Sequence, residues 1–395
     1  FAPFMTNERG ARLCGAAAHA KTGAGCAWES VEMAGETVDS TEMLRRLVGF
    51  DTTSRDSNLA LIDYVKAYLH DHGVDSTVVP NEEGTKANLY ATIGPMVEGG
   101  IVLSGHTDVV PVDGQPWDAD PFTLRDGGDR WFGRGTCDMK AFPAVALALL
   151  PEFKKSGMKV PVHLALSYDE EIGCLGAHSL VERLMGDVPR PRAVIVGEPT
   201  MMGVVNAQNW GGGLITTFTG FEAHSSMTHL GVSANHFACE FVVFLLRLQD
   251  ELESRAAADS EFMPPYGTIT VGTIHGGTAP NILARECVVH WEYRALPGTD
   301  DQEVINRAQA YVADKLLPAM KRKHPDASIE FDIGPGTPPF SPEGNDEAVK
   351  LVQSWSGSNV VTSVSYGTEA GIFKNAGGVP TVVCGPGDIA QAHQP

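Results

Sequence analysis

No stretch of this 395-residue chain approaches the ~18 consecutive apolar residues of a membrane-spanning helix, so nothing in it reads as crossing a bilayer. Basic side chains are scarce: 29 Lys and Arg stand against 49 Asp and Glu, a formal net charge of −20 at pH 7. That balance excludes nucleic acid as a partner, because a phosphate backbone demands clustered Lys and Arg. The cysteines, Cys14, Cys26, Cys137, Cys174, Cys239, Cys287 and Cys384, include no C-x-x-C pair. An odd set so widely spaced is neither a disulfide framework nor a zinc finger, and it points to a reducing compartment, the cytoplasm. There is no internal repeat. Residues 1–32 have no periodic apolar face and lack the apolar core of a secretory signal. They read as translated upstream sequence or a disordered extension.

What is present alternates. A chain of this length exceeds one compact core, so two domains are expected. Met43, Leu44, Leu47 and Val48 share one helical face, as do Leu61, Ile62, Val65, Tyr68 and Leu69, with Gly73 as the stop. Short runs rich in Val, Ile and Leu lie at 76–80, 88–94, 100–106, 160–168 and 192–198, the texture of strands buried on both faces. Helices expected over 139–157 and 176–186 separate them. This is an α/β fold with a mainly parallel, twisted sheet flanked by helices. After about residue 210 the texture changes: a period-two strand at 211–220, a helix at 233–254, strands at 267–277 and 286–296, a helix at 301–323 and a strand at 328–334. Two helices and four strands suggest a small α+β unit inserted into the larger one. The βα texture then returns, with a helix near 344–355 and further runs at 360–367, 370–377 and 379–385. The expected map is an N-terminal extension over 1–37, a discontinuous large domain over 38–210 and 336–395, and an inserted domain over 211–335.

The run "VHLALSYDEEIG" ends a buried-looking strand in three successive acids, Asp169, Glu170 and Glu171. Open α/β sheets bind ligands at the carboxyl ends of their strands, so the residues just past each strand carry the most information. His106, Thr107 and Asp108 come after "IVLSG", Glu198 after "AVIVG", and His393 lies beyond "PTVVCGPG". Asp138 sits at a Gly-rich turn entering a helix. Each has an ordinary alternative: a capping His, a helix N-cap for Asp138, a wet acidic loop, a turn at Glu198. Their coincidence at one sheet edge favours a metal centre. Imidazoles and carboxylates are the ligands zinc takes, and there are enough for two ions. Two cations sharing a carboxylate polarise a carbonyl and generate a nucleophile. Asp108, two residues from His106, faces the same way and is placed to bond the far imidazole nitrogen. Glu170 and Glu171 point differently, so one can ligate while the other serves as a base.

"SGHTDVVP", "GRGTCDMK", "DEEIGCLGA", "GEPT" and "AHQP" together resemble the co-catalytic zinc amidohydrolases that include carboxypeptidases, aminoacylases, succinyl-diaminopimelate desuccinylase and N-acetylornithine deacetylase. The resemblance spans roughly residues 38 to 395. It implies a zinc-exopeptidase-like fold whose inserted domain is a lid and dimerisation unit. It implies two zinc ions per subunit, replaceable by cobalt: His106 and Glu198 on one, Glu171 and His393 on the other, Asp138 bridging. Glu170 is then the general acid/base and Asp108 the partner of His106. His224, in "AHSS", would polarise the scissile carbonyl from the partner subunit of a homodimer, while Asn281 and Arg294 would hold a substrate carboxylate. "SVSYGTEAGIF" and "VVCGPGDIAQAHQP" look most like N-acetylornithine deacetylases, enzymes of arginine biosynthesis. Gly367 and Thr368 then fall in the substrate-binding segment, with Glu369 facing a cationic side-chain amine. Relatives continue beyond the position of Pro395, and a chain stopping there is expected to hold His393 less firmly. Two alternatives stay open: the same chemistry on an N-succinyl amino acid or a dipeptide, and a non-catalytic homologue.

Overall fold

The computed structural model describes residues 38–395; the expectation for residues 1–37 lies outside them. In chain order the strands are β1 (Ser76–Pro80), β2 (Ala87–Ile93), β3 (Ile101–His106), β4 (Arg125–Asp126), β5 (Trp131–Phe132), β6 (Val162–Ser167), β7 (Ala193–Pro199), β8 (Val204–Gln208), β9 (Trp210–Thr219), β10 (Thr268–Gly276), β11 (Glu286–Ala295), β12 (Ser328–Ile333), β13 (Val361–Val364) and β14 (Thr381–Gly385). Eight form one sheet in the order β1-β2-β6-β3-β7-β14-β8-β13. Its centre, β6-β3-β7-β14, is parallel throughout. β1 and β2 are antiparallel additions at one edge.

Period-two alternation decides which helices cover which face. Leu164 and Leu166 of β6 pack with helices Ser40–Val48, Leu59–Asp71 and Ala141–Ala148. Ala165, between them, packs with helices Ala177–Asp187 and Ala370–Asn375 on the opposite face. The large sheet is therefore buried on both sides, as its unbroken apolar runs imply.

The second sheet, order β10-β11-β9-β12, is antiparallel throughout. With helices Ala234–Ser254 and Glu303–Tyr311 it reads βαββαβ, a split βαβ arrangement. Phe218, Phe241, Leu245, Trp291 and Met320 form its own core. It is inserted between β8 and β13 of the large sheet.

Two expected helices are not regular throughout. Residues 139–157 give Ala141–Ala148 and Leu150–Lys155, with Pro151 in the first turn of the second. Residues 301–323 stay helical from Glu303 to Lys321 but pass through a widened turn, Val312–Leu316, ahead of Pro318. Proline has no N–H to donate and clashes with the preceding turn, so the first helix restarts around Pro151 and the second widens ahead of Pro318. β8 lies outside the expected set; its five residues include Asn206 and Gln208 and are too few to show a period. Among the described residues no helix is long and apolar enough to cross a membrane.

Candidate metal centre

The four central parallel strands deliver the site at their carboxyl ends. His106 is the last residue of β3, Glu170 and Glu171 come after β6, Glu198 is the last but one of β7, and His393 lies in the loop after β14. Asp138 comes from the turn leading into helix Ala141–Ala148. Glycine lets these ends crowd together: a Cβ on Gly197, next to Glu198, would run into the Phe142 ring, and one on Gly385 into the Gly197 carbonyl.

The His106 imidazole, fully buried, is the hub. Its Nε2 lies 2.9 Å from Asp138 Oδ1, 3.6 Å from Glu198 Oε1 and 4.0 Å from Glu170 Oε2. His393 Nε2 lies 3.2 Å from the other Asp138 oxygen, Oδ2, and 3.1 Å from Glu171 Oε2. Asp138 thus turns one oxygen to each histidine, the disposition a bridging carboxylate requires. Ligand atoms of His106, Asp138 and Glu171 all fall within 4.8 Å of one another, as do those of His106, Glu170 and Glu198.

Five carboxylates converge here; two imidazoles touch them, and the Arg134 guanidinium lies near Glu171 and Asp138. Burial, reinforced by Asp138, pushes the Glu198 carboxyl well above its ordinary value. Burial does the same to Glu170, with Glu171 and Asp138 adding to it against His106. Glu171 is raised too, its burial eased by the bond to His393. Asp138 goes the other way: against its burial, bonds from both histidines hold it well below the carboxylate range. His106 is raised despite burial by Asp108 and Asp138, and His393 to about 10 by Asp138 and Glu171. Glu171 Oε1 and Glu198 Oε1 are buried without a hydrogen-bond partner, each orphan costing about 1–3 kcal/mol. Excess negative charge, oxygen and imidazole donors and orphaned lone pairs together fit a pair of divalent cations.

Asp108 explains how three consecutive acids are tolerated. The sequence places its carboxylate to bond His106 directly. Instead His106 Nδ1 lies 2.9 Å from the Asp108 backbone carbonyl and 3.5 Å from Oδ1. The carboxylate itself accepts the backbone N–H of Glu170 (3.1 Å) and of Glu171 (3.3 Å) and the Ser54 hydroxyl (2.8 Å). It holds the acidic loop by its backbone. Asp169 is drawn aside into an ion pair with Lys86.

Two cavities flank the cluster. One, about 350 Å³, is lined by Asp138, Glu171, His393, Trp117 and Arg134. The other, about 450 Å³, lies between the two sheets and is lined by Glu170, Glu171, Glu292, Arg294, Tyr366 and Gly367. Arg294 and Gly367 therefore share a cavity with Glu170 and Glu171. Thr368 does not: it is fully buried, and its hydroxyl is held by Gln208 Oε1 at 2.6 Å, so it supports the loop rather than a substrate. Glu369 is likewise corrected. It lies inside the fold, accepting hydrogen bonds from Ser104 and Ser167, and faces no amine. His224 is exposed, its Nδ1 2.8 Å from Ser226 Oγ. The Asn281 carbonyl accepts the Ser225 N–H at 2.9 Å. This pair sits together on the inserted unit and lines neither cavity.

Residues missed from the sequence are mostly supports. Ser54 belongs to a polar "TTS" stretch between two helices, the one signal that hinted at a role. Gln115 lies in a loop without pattern; its Nε2 donates to the His393 carbonyl (2.8 Å), and its Oε1 accepts from Trp117 Nε1 (3.0 Å) and from Arg134.

Several solved structures share this architecture. An M20-family metallo-carboxypeptidase from Sulfolobus solfataricus superposes with a TM-score of 0.72 at 17% identity, over 91% of this chain and 94% of that one. A di-peptidase from Saccharomyces cerevisiae gives 0.70 at 15%, over 90% of each. A dinuclear metal-binding M20 peptidase from Bacillus subtilis gives 0.57 at 15%, over 88% of each. At these identities the likeness is one of fold. The profile of peptidase family M20/M25/M40 matches residues 102–395, and the chain belongs to that family of metal-dependent hydrolases.

Proposed function

We propose that this chain hydrolyses the N-acetyl amide of N2-acetyl-L-ornithine to acetate and L-ornithine, using two zinc ions, as a cytoplasmic homodimer. The observation that carries the hydrolytic reading is Asp138, one oxygen 2.9 Å from His106 and the other 3.2 Å from His393. His106 and Glu198 would hold one ion with Asp138, and Glu171 and His393 the other. When bound, the pair polarises the acyl carbonyl and supplies a nucleophile at neutral pH.

The chain's own residues do the rest. Glu170, with its proton affinity raised by burial, takes the proton released as the acyl carbon is attacked and returns it to the leaving amine. Arg294, in the same cavity, offers a guanidinium fork to the α-carboxylate. His224, exposed on the inserted unit, would reach the oxyanion of the neighbouring subunit. The acyl substrate is supported by "SVSYGTEAGIF" and "VVCGPGDIAQAHQP", the segments most like N-acetylornithine deacetylases. Initial rates with Zn(II) or Co(II) on N2-acetylornithine, N-succinyl-diaminopimelate and a set of dipeptides test this. N2-acetylornithine should give the highest kcat/KM; faster cleavage of a dipeptide or the succinyl substrate refutes it.

A further inference from the structure

The cavity between the two sheets gathers four charged side chains, Glu170, Glu171, Glu292 and Arg294. The first two belong to the metal chemistry. That leaves one acid and one base, two residues apart on β11 and hence on the same face. They pair with each other, with side chains 40% and 32% exposed, and Arg294 Nη1 also donates to the Ser365 carbonyl at 2.9 Å.

The space beside both is open. Across the ladder, Glu292 lies opposite Gly213 and Arg294 opposite Gly211. A Cβ on Gly213 would meet nothing within 4 Å, and one on Gly211 would touch only Arg294, at 3.7 Å. Strand β9 thus withholds side chains where they would fill the cavity. Much of the remaining wall is glycine backbone, with the uncharged Thr337 and Tyr366. An ion pair this exposed is worth about 0–1 kcal/mol, so a ligand bearing both charges can exchange it cheaply. Guanidinium has five donors and a carboxylate about four acceptor sites, so the two need not part completely.

We propose that Glu292 is the specificity-determining residue for a cationic side chain. It takes the ammonium of an N-acyl basic amino acid whose α-carboxylate lies on Arg294. This rests on the N-acyl amino acid reading above. Glu369 cannot fill the role, being enclosed with Ser104 and Ser167.

The test uses metal-loaded, full-chain enzyme and two substrates of matched shape, N2-acetyl-L-ornithine and the neutral N-acetyl-L-norleucine. The readout is the ratio of their kcat/KM values in wild type, Glu292→Gln and Glu292→Asp. The ratio should fall about tenfold or more in Glu292→Gln, through KM for the cationic substrate, and Glu292→Asp should keep most of the preference. A parallel loss on both substrates would show that Glu292 only orients Arg294 and overturns the proposal, as does an unmoved ratio. A wild type that cleaves neither N-acetyl substrate removes the N-acyl reading and this proposal with it. One that cleaves N2-acetylornithine, with a ratio indifferent to Glu292→Gln, removes this proposal alone.

Discussion

Asp108→Asn isolates the device that holds the acidic loop, because it changes one oxygen to an amide at almost constant volume. Oδ1 accepts the Glu170 N–H at 3.1 Å; Oδ2 accepts the Glu171 N–H at 3.3 Å and the Ser54 hydroxyl at 2.8 Å. Ser54 can turn its hydroxyl round, but a backbone N–H cannot. Whichever oxygen becomes NH2, one backbone donor faces another donor in a site that is 2% exposed. Losing that acceptor costs about 1–3 kcal/mol. The charge behind His106 disappears as well, and outer partners of this kind are worth about 10- to 100-fold in metal affinity. Denaturant unfolding of the metal-free protein measures the first effect, and competition with a chromophoric chelator the second. The variant should unfold at lower denaturant and bind metal at least tenfold more weakly. Unchanged unfolding and unchanged affinity together would show that the loop is held by something else.

Three further outcomes are expected. Glu170→Gln should keep its bound metal and lose about 10²- to 10⁴-fold in kcat; loss of metal in that variant would make Glu170 a ligand instead. In chelator, thermal stability should fall from about pH 5 to pH 9. The folded chain holds protons on Glu170 and Glu198 above the ordinary 4.5, and on His106 and His393 above the ordinary 6.5, to about 10 for His393. The unfolded chain releases these protons, so stability declines as pH rises through that window; His163, lowered by burial to about 4, and Lys140, lowered to about 7, pull the other way and are outnumbered. Saturating Zn(II) or Co(II) replaces the protons and flattens the slope; a metal-free protein that grows more stable over the same range contradicts the charge account. Gln115→Ala frees the His393 carbonyl from its 2.8 Å bond and should weaken the second metal equivalent while sparing the first, which calorimetric titration separates.

Most of the candidate ligand set is legible because its members end or follow a strand whose apolar run marks its own end, as His106 comes after "IVLSG" and Glu198 after "AVIVG"; Asp138, in a turn entering a helix, is marked only by its glycines. Their convergence then needs only the rule that parallel strands deliver their carboxyl ends together. Glu369 shows where such reading stops. Its position in a polar "GTEA" segment suggests a loop facing ligand, yet its partners Ser104 and Ser167 lie 265 and 202 residues away. No local pattern encodes a contact of that range. For Asp108 the sequence gives the right neighbourhood and the wrong bond, because side-chain direction fixes proximity but not which donor wins. The two irregular helices differ in kind: Pro151 and Pro318 are visible in the sequence, but the apolar periodicity runs on through both and hides the break at one and the widened turn at the other.

Metal stoichiometry tests the central claim most directly. Metal-free protein titrated with Zn(II), read by calorimetry and by elemental analysis after desalting, should take up two equivalents per chain. Asp138→Ala, which removes the oxygens facing His106 and His393, should weaken both. Uptake of one equivalent or none, or two equivalents held undiminished without Asp138, would contradict the shared-carboxylate centre.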